Sequence, residues 1–186
     1  MTPTILLRSG CYFDLQNPEA SDVSIGDIAH SLARLCRFTG HTAQFYSVAQ
    51  HSVRVSEIVP PEDALAGLLH DAAEAFLGDV SSPLKALLPE YRALESRVSA
   101  AIFARFGLAP EMPPSVRSAD LVLLASEVVD LLPPPTSPGG HQTADAVHGW
   151  ACLKGIDPKQ APPLRGCMSP DEAEGFFLSR FERLTR

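Results

Sequence analysis

From Asn17-Pro18 onward, apolar residues return every three or four positions, and prolines and glycines cut that rhythm into helix-length pieces. A 3.6-residue period puts such residues on one helix face, so this chain must bury a set of amphipathic helices against one another. Ser24, with Asp27 three places on, caps the first, whose Ile25, Ile28, Ala29, Leu32 and Leu35 share a face. The spacing predicts further helices over 47–58, from Pro60-Pro61 to Gly78, over 90–106, over 114–131 and near 143–154. The last helix starts at Ser169-Pro170. GDVSSPLK reads as a loop, and PPPTSPGGHQ, residues 133–142, as a mobile surface loop. Residues 4–15, TILLRSGCYFDL, suit a small hairpin around Ser9-Gly10. The expected fold is all-α, one domain over 1-186, with a short N-terminal β-hairpin.

Charge narrows the partners. A formal net charge of -7 disfavours polymeric nucleic acid, because little basic surface is left to neutralise a phosphate backbone. A small phosphorylated substrate stays open, since one metal ion and one or two arginines hold it locally. No apolar run approaches the roughly 20 residues of a membrane span. The opening MTPTILLRSG lacks the features of a signal peptide, and Cys11, Cys36, Cys152 and Cys167 form no C-x-x-C pair. A cytoplasmic protein with reduced thiols and no membrane partner is expected.

LAGLLHDAAEAF, residues 65–76, sets His70, Asp71 and Glu74 in an otherwise apolar helix. Buried charges are costly unless paired or bound to a cation. A divalent ion explains the His-Asp pair, because imidazole and carboxylate both ligate manganese, cobalt, zinc or iron. Glu74 lies four residues after His70, on the same helical face. His51 lies in SVAQHSVRV among small and apolar neighbours, and Asp120 in VRSADLVLLASEVV, read as an apolar helix with one carboxylate. The order is H-x18-HD-x48-D.

This arrangement resembles the HD superfamily of metal-dependent phosphohydrolases, with its His…His-Asp…Asp signature. Residues 70–85, HDAAEAFLGDVSSPLK, resemble the HD-x-x-E-x-x-x-GD-x-x-x-P-x-K segment of small bacterial HD 5′-nucleotidases and related deoxynucleotide hydrolases. Residues 36–53, CRFTGHTAQFYSVAQHSV, resemble the segment before the first ligand, and the likeness spans roughly 24–130. The resemblance implies an HD-domain helical bundle in which His51, His70, Asp71 and Asp120 bind one divalent ion. It implies Glu74 as the catalytic acid or base, Asp79 near the sugar or leaving oxygen, Arg37 and Lys85 on phosphate, and Phe38 against base or sugar. Many relatives carry Trp where this chain has Phe38, so base preference does not transfer. The resemblance also implies a homo-oligomer, with the apolar last helix a candidate contact.

His41 is weighed as a substrate-side residue against a polar loop position. Arg34, one turn before Arg37, is weighed as part of a phosphate pocket against a surface salt bridge. His30, His141 and His148 are given no site role, and Trp150, Phe176, Phe177 and Phe181 are read as core or subunit contact. The leading expectation is a 5′-nucleotidase for deoxynucleoside monophosphates. The alternative is a deoxynucleoside triphosphate triphosphohydrolase, which Arg34, Arg37, Lys85 and Arg8 keep open by offering charge for a longer phosphate tail. A non-catalytic nucleotide-sensing module is a further alternative, weakened by the presence of Glu74. Signalling-nucleotide hydrolysis ranks lower, because the extended motifs of those enzymes are absent.

Overall fold

A computed structural model describes residues 3–134 and 150–186. Strands β1 (Thr4–Leu6) and β2 (Tyr12–Asp14) pair antiparallel with Ile5 opposite Phe13. The hairpin plugs the bundle through Phe13, which is fully buried and stacks on Phe76 with ring centroids 4.0 Å apart. Helices follow as α1 (Ile25–Arg34), α2 (Val48–Ile58), α3 (Ala64–Leu69), α4 (Glu74–Leu77), α5 (Ser82–Lys85), α6 (Pro89–Arg105), α7 (Pro114–Leu131) and α8 (Pro170–Leu184). The described residues are mostly helical, as the apolar period requires.

The caps of α1 and α8 fall where the sequence puts them, and Ser47 adds one at the start of α2. The side chains of Ser24, Ser47 and Ser169 accept from the backbone N–H groups of Asp27, Gln50 and Glu172, which stabilises each helix start by about 1 kcal/mol. Helix α2 lies at the centre, packed against α1, α3, α7 and α8. Its buried Gln50 donates to Gly166 O and accepts from Met168 N, and its Ser56 hydroxyl donates to Ala64 O, so this interior helix carries polar residues at little cost. Ile28, Leu32, Leu68, Leu69 and Phe177 fill the main core, and Val55, Val116 and Leu123 join α2 to α7.

Two expectations need correction. The helix drawn continuously from Pro61 to Gly78 is broken at 70–73 into α3 and α4. Across the break the bonds tighten to three-residue turns: Ala72 N to Leu69 O, Glu74 N to Asp71 O and Phe76 N to Ala73 O. Within the GDVSSPLK loop, Pro83 in the first turn starts the single turn of α5. The last helix spends its apolar face inside the fold, through the fully buried Phe177, and leaves Phe176 half-exposed. Residues 135–142 of the expected loop and 143–149 of the expected short helix, with His141 and His148, lie outside the described residues; Ala151–Leu153 form a 3-10 turn.

Candidate metal centre

Two of the chosen histidines face each other across α2 and α3. Gly67 makes this approach feasible, because a Cβ there would sit 3.2 Å from both Ser56 Cα and Val59 Cγ2. His51 and His70 ring centroids are consequently 5.2 Å apart. Helix α7 brings Asp120 alongside, and the break after α3 turns Asp71 in. His51, His70 and Asp120 each offer a ligand atom within 4.8 Å of the others. Asp71 Oδ2 lies 3.0 Å from His70 Nε2 and 3.7 Å from His51 Nε2, so all four sequence-chosen residues meet.

The nitrogen arrangement is one that could ligate a metal. His51 Nδ1 lies 2.8 Å from the Glu127 carboxylate and His70 Nδ1 lies 2.9 Å from Gly67 O. Both partners accept, so each Nδ1 carries a proton and each Nε2 faces the cluster, where a bound ion would take the place of a second proton. Both Nε2 atoms are buried without a hydrogen-bond partner. His51 Nε2 is 3.1 Å from Asp120 Oδ1, yet that contact lacks hydrogen-bond geometry. Two imidazole nitrogens and two carboxylates converging in this way fit a divalent ion. Burial alone would lower the His70 pKa, but Asp71 and then Asp120 reverse this and hold it at about 9, a measure of how strongly the carboxylates favour added positive charge.

Glu127 was missed in the sequence. It is fully buried on α7, seven residues after Asp120, and the helix read as carrying one carboxylate carries two on one face. Its Oε1 accepts from Tyr46 Oη at 2.6 Å and faces His51, while its Oε2 accepts from Arg37 Nε at 3.2 Å. Burial opposes its ionisation, but His51 and Arg37 outweigh that and hold it near a pKa of about 2. Glu127 therefore acts as a fixed anion behind His51.

A cleft of about 390 Å³ opens beside the cluster. Arg37, Phe38, His41, Asp79 and Lys85 all line it, with Asp71, Glu74 and Asp120. The Arg37 segment is strained: Phe38 and Thr39 take left-handed φ angles of 55° and 54°, costly for residues bearing a Cβ and most of all for β-branched threonine. The strain is sustained from both sides, by Arg37 N donating to Tyr46 O and Ala43 N donating to Leu131 O. Lys85 is held between Glu74 Oε1 at 3.3 Å and Glu95 Oε1 at 2.5 Å. Burial first, then Asp71 and Asp79, raise the Glu74 carboxyl well above its ordinary pKa, and its Oε2 has no protein hydrogen-bond partner.

Arg34 does not reach this cleft. It pairs with Glu174 and Asp171 on α8, and Arg8 and His30 join the same Glu174. Trp150, expected in the core or a subunit contact, instead lines the cleft against Phe38. A second cleft of about 460 Å³, between α6 and α7, shares Asp71, Glu74, Lys85 and Asp120 with the first.

Similarity to one known protein runs along nearly the whole chain. It is 40% identical over 180 residues to YfdR of Escherichia coli, an uncharacterized protein, covering 95% of this chain and 93% of the relative. The chain belongs to the YfdR family. A second relative, an uncharacterized protein of Rhodobacter capsulatus, is 40% identical over 123 residues, 61% of this chain and 63% of its own length. The aligned part of YfdR thus spans nearly its whole length and that of this chain. No family model matches. Among the described residues, no helix is long and apolar enough to cross a membrane.

Proposed function

We propose that this YfdR-family chain is an HD-type metal-dependent phosphohydrolase that removes the 5′-phosphate of deoxynucleoside monophosphates. The observation that carries the reading is the pair of inward-facing, unpartnered Nε2 atoms of His51 and His70, set beside Asp71 and Asp120 at the edge of a ligand-sized cleft. A bound divalent ion would supply Lewis acidity and an activated water at neutral pH. His51, His70, Asp71 and Asp120 are the residues that would hold it. Glu74, with a raised pKa and a free Oε2, is suited to take a proton from water and return it to the leaving oxygen. Lys85 and Glu95 keep Glu74 in place. Arg37 stands at the cleft wall, paired with Glu127 and 3.6 Å from Asp71, and would turn from Asp71 to meet a phosphate oxygen.

Monophosphate is favoured over triphosphate by the basic residues. Of the four that would serve a long phosphate tail, Arg8 and Arg34 are committed to Glu174, and Lys85 is held by two carboxylates. The test is a substrate screen on metal-stripped protein restored separately with manganese, cobalt and zinc. Orthophosphate release from deoxynucleoside monophosphates is expected, only with metal present. Release of intact triphosphate from deoxynucleoside triphosphates, or no turnover with any metal, would overturn the reading.

A further inference from the structure

One wall of the cleft is apolar. Phe38, Leu124, Leu132 and Trp150 contribute to it, whereas Arg37, Asp71, Glu74 and Asp120 supply the charge. Phe38 meets Trp150 edge to face, with centroids 6.3 Å apart and an interplanar angle of 78°. Both rings are half-buried and pack against the buried cluster of Ala125, Val128 and Leu153. The pinned, left-handed backbone at Phe38 fixes the ring that Trp150 abuts.

We propose that Trp150 is a specificity-determining residue that receives the planar heteroaromatic base of the substrate, with Phe38 orienting its ring. A ligand that fits this cleft needs a charged head for the carboxylate and arginine end and a flat, weakly polar body for the aromatic wall. A phosphorylated nucleoside has that shape, and a base stacked on an aromatic face typically gains about tenfold or more in affinity. The inference rests on the proposed nucleotide chemistry for the phosphate end, while the aromatic wall stands on its own geometry.

Trp150 is the only tryptophan in the chain, so its fluorescence reports this wall alone. Deoxyadenosine, its 5′-monophosphate and deoxyribose 5-phosphate would each be added to manganese-loaded protein. Saturable quenching by both base-bearing ligands, and none by the sugar phosphate, is expected. In steady-state kinetics Trp150→Leu should raise KM for the monophosphate about tenfold and hold kcat within about twofold, with Trp150→Phe recovering most of the loss. Emission unchanged by the base-bearing ligands, or changed equally by deoxyribose 5-phosphate, would overturn the proposal. Quenching by deoxyadenosine without any turnover would uphold the aromatic subsite while removing the hydrolase reading. Turnover without quenching would do the reverse.

Discussion

The site depends on which nitrogen of each histidine carries the proton. For His51 that choice belongs to Glu127, a buried carboxylate shared with Tyr46 and Arg37. Glu127→Gln keeps an acceptor for His51 and removes the charge behind it. Such changes beyond the ligands typically weaken metal binding about 10–100-fold. Manganese titration of the variant should show that loss with the helical circular dichroism unchanged; wild-type affinity would mean that Glu127 does not orient the ligand. His51, His70, Asp71 and Asp120 were legible in the sequence because each is a polar group in an apolar helix that needs a partner. Glu127 was hidden in the same kind of setting, since a second carboxylate two turns from Asp120 looks like one more surface charge. Of the two readings weighed for Arg34, the salt bridge is the one found, for a geometric reason. Helix α1 ends at Arg34 and Leu35 is already extended, so the one-turn relation between Arg34 and Arg37 does not hold in space.

At the level of elements, the break between α3 and α4 is the feature that brings Asp71 to the two histidines. In a three-residue turn, side chains at i and i+3 fall on one side, and Asp71 and Glu74 both line the cleft. The helix period in LAGLLHDAAEAF gave no hint of this, because α and 3-10 turns share their apolar pattern over so short a stretch. The approach of α3 to α2 rests on Gly67, where an added Cβ would meet the Ser56 backbone and the Val59 side chain. Gly67→Ala would gain up to about 1 kcal/mol of helix propensity. The clash with Ser56 outweighs that, because overpacking a tight contact costs about 1–3 kcal/mol. A net fall in melting temperature is expected in thermal denaturation, together with weaker metal binding as His70 is pushed from His51. A variant as stable as the parent would show that the two helices can part without loss.

For the whole molecule, the arrangement places one buried helix, α2, at the meeting point of the cores and hangs the site on its His51. The all-α class, the hairpin and the capped starts of α1 and α8 followed from apolar period and cap residues, which are local rules. The placement of Trp150 on the cleft and the commitment of Arg8 and Arg34 to α8 are long-range outcomes, and no local pattern encodes them. In the proposed site, four residues from α2, the α3–α4 break and α7 hold one cation, and Glu74 works beside it without ligating. Calorimetric titration of metal-stripped protein with manganese tests this directly, comparing the parent chain with His70→Ala, Asp120→Ala and Glu74→Ala. The account predicts one ion bound per parent chain, binding lost in the His70 and Asp120 variants, and binding kept but turnover lost in the Glu74 variant. Parent-like binding by the His70 and Asp120 variants would contradict it.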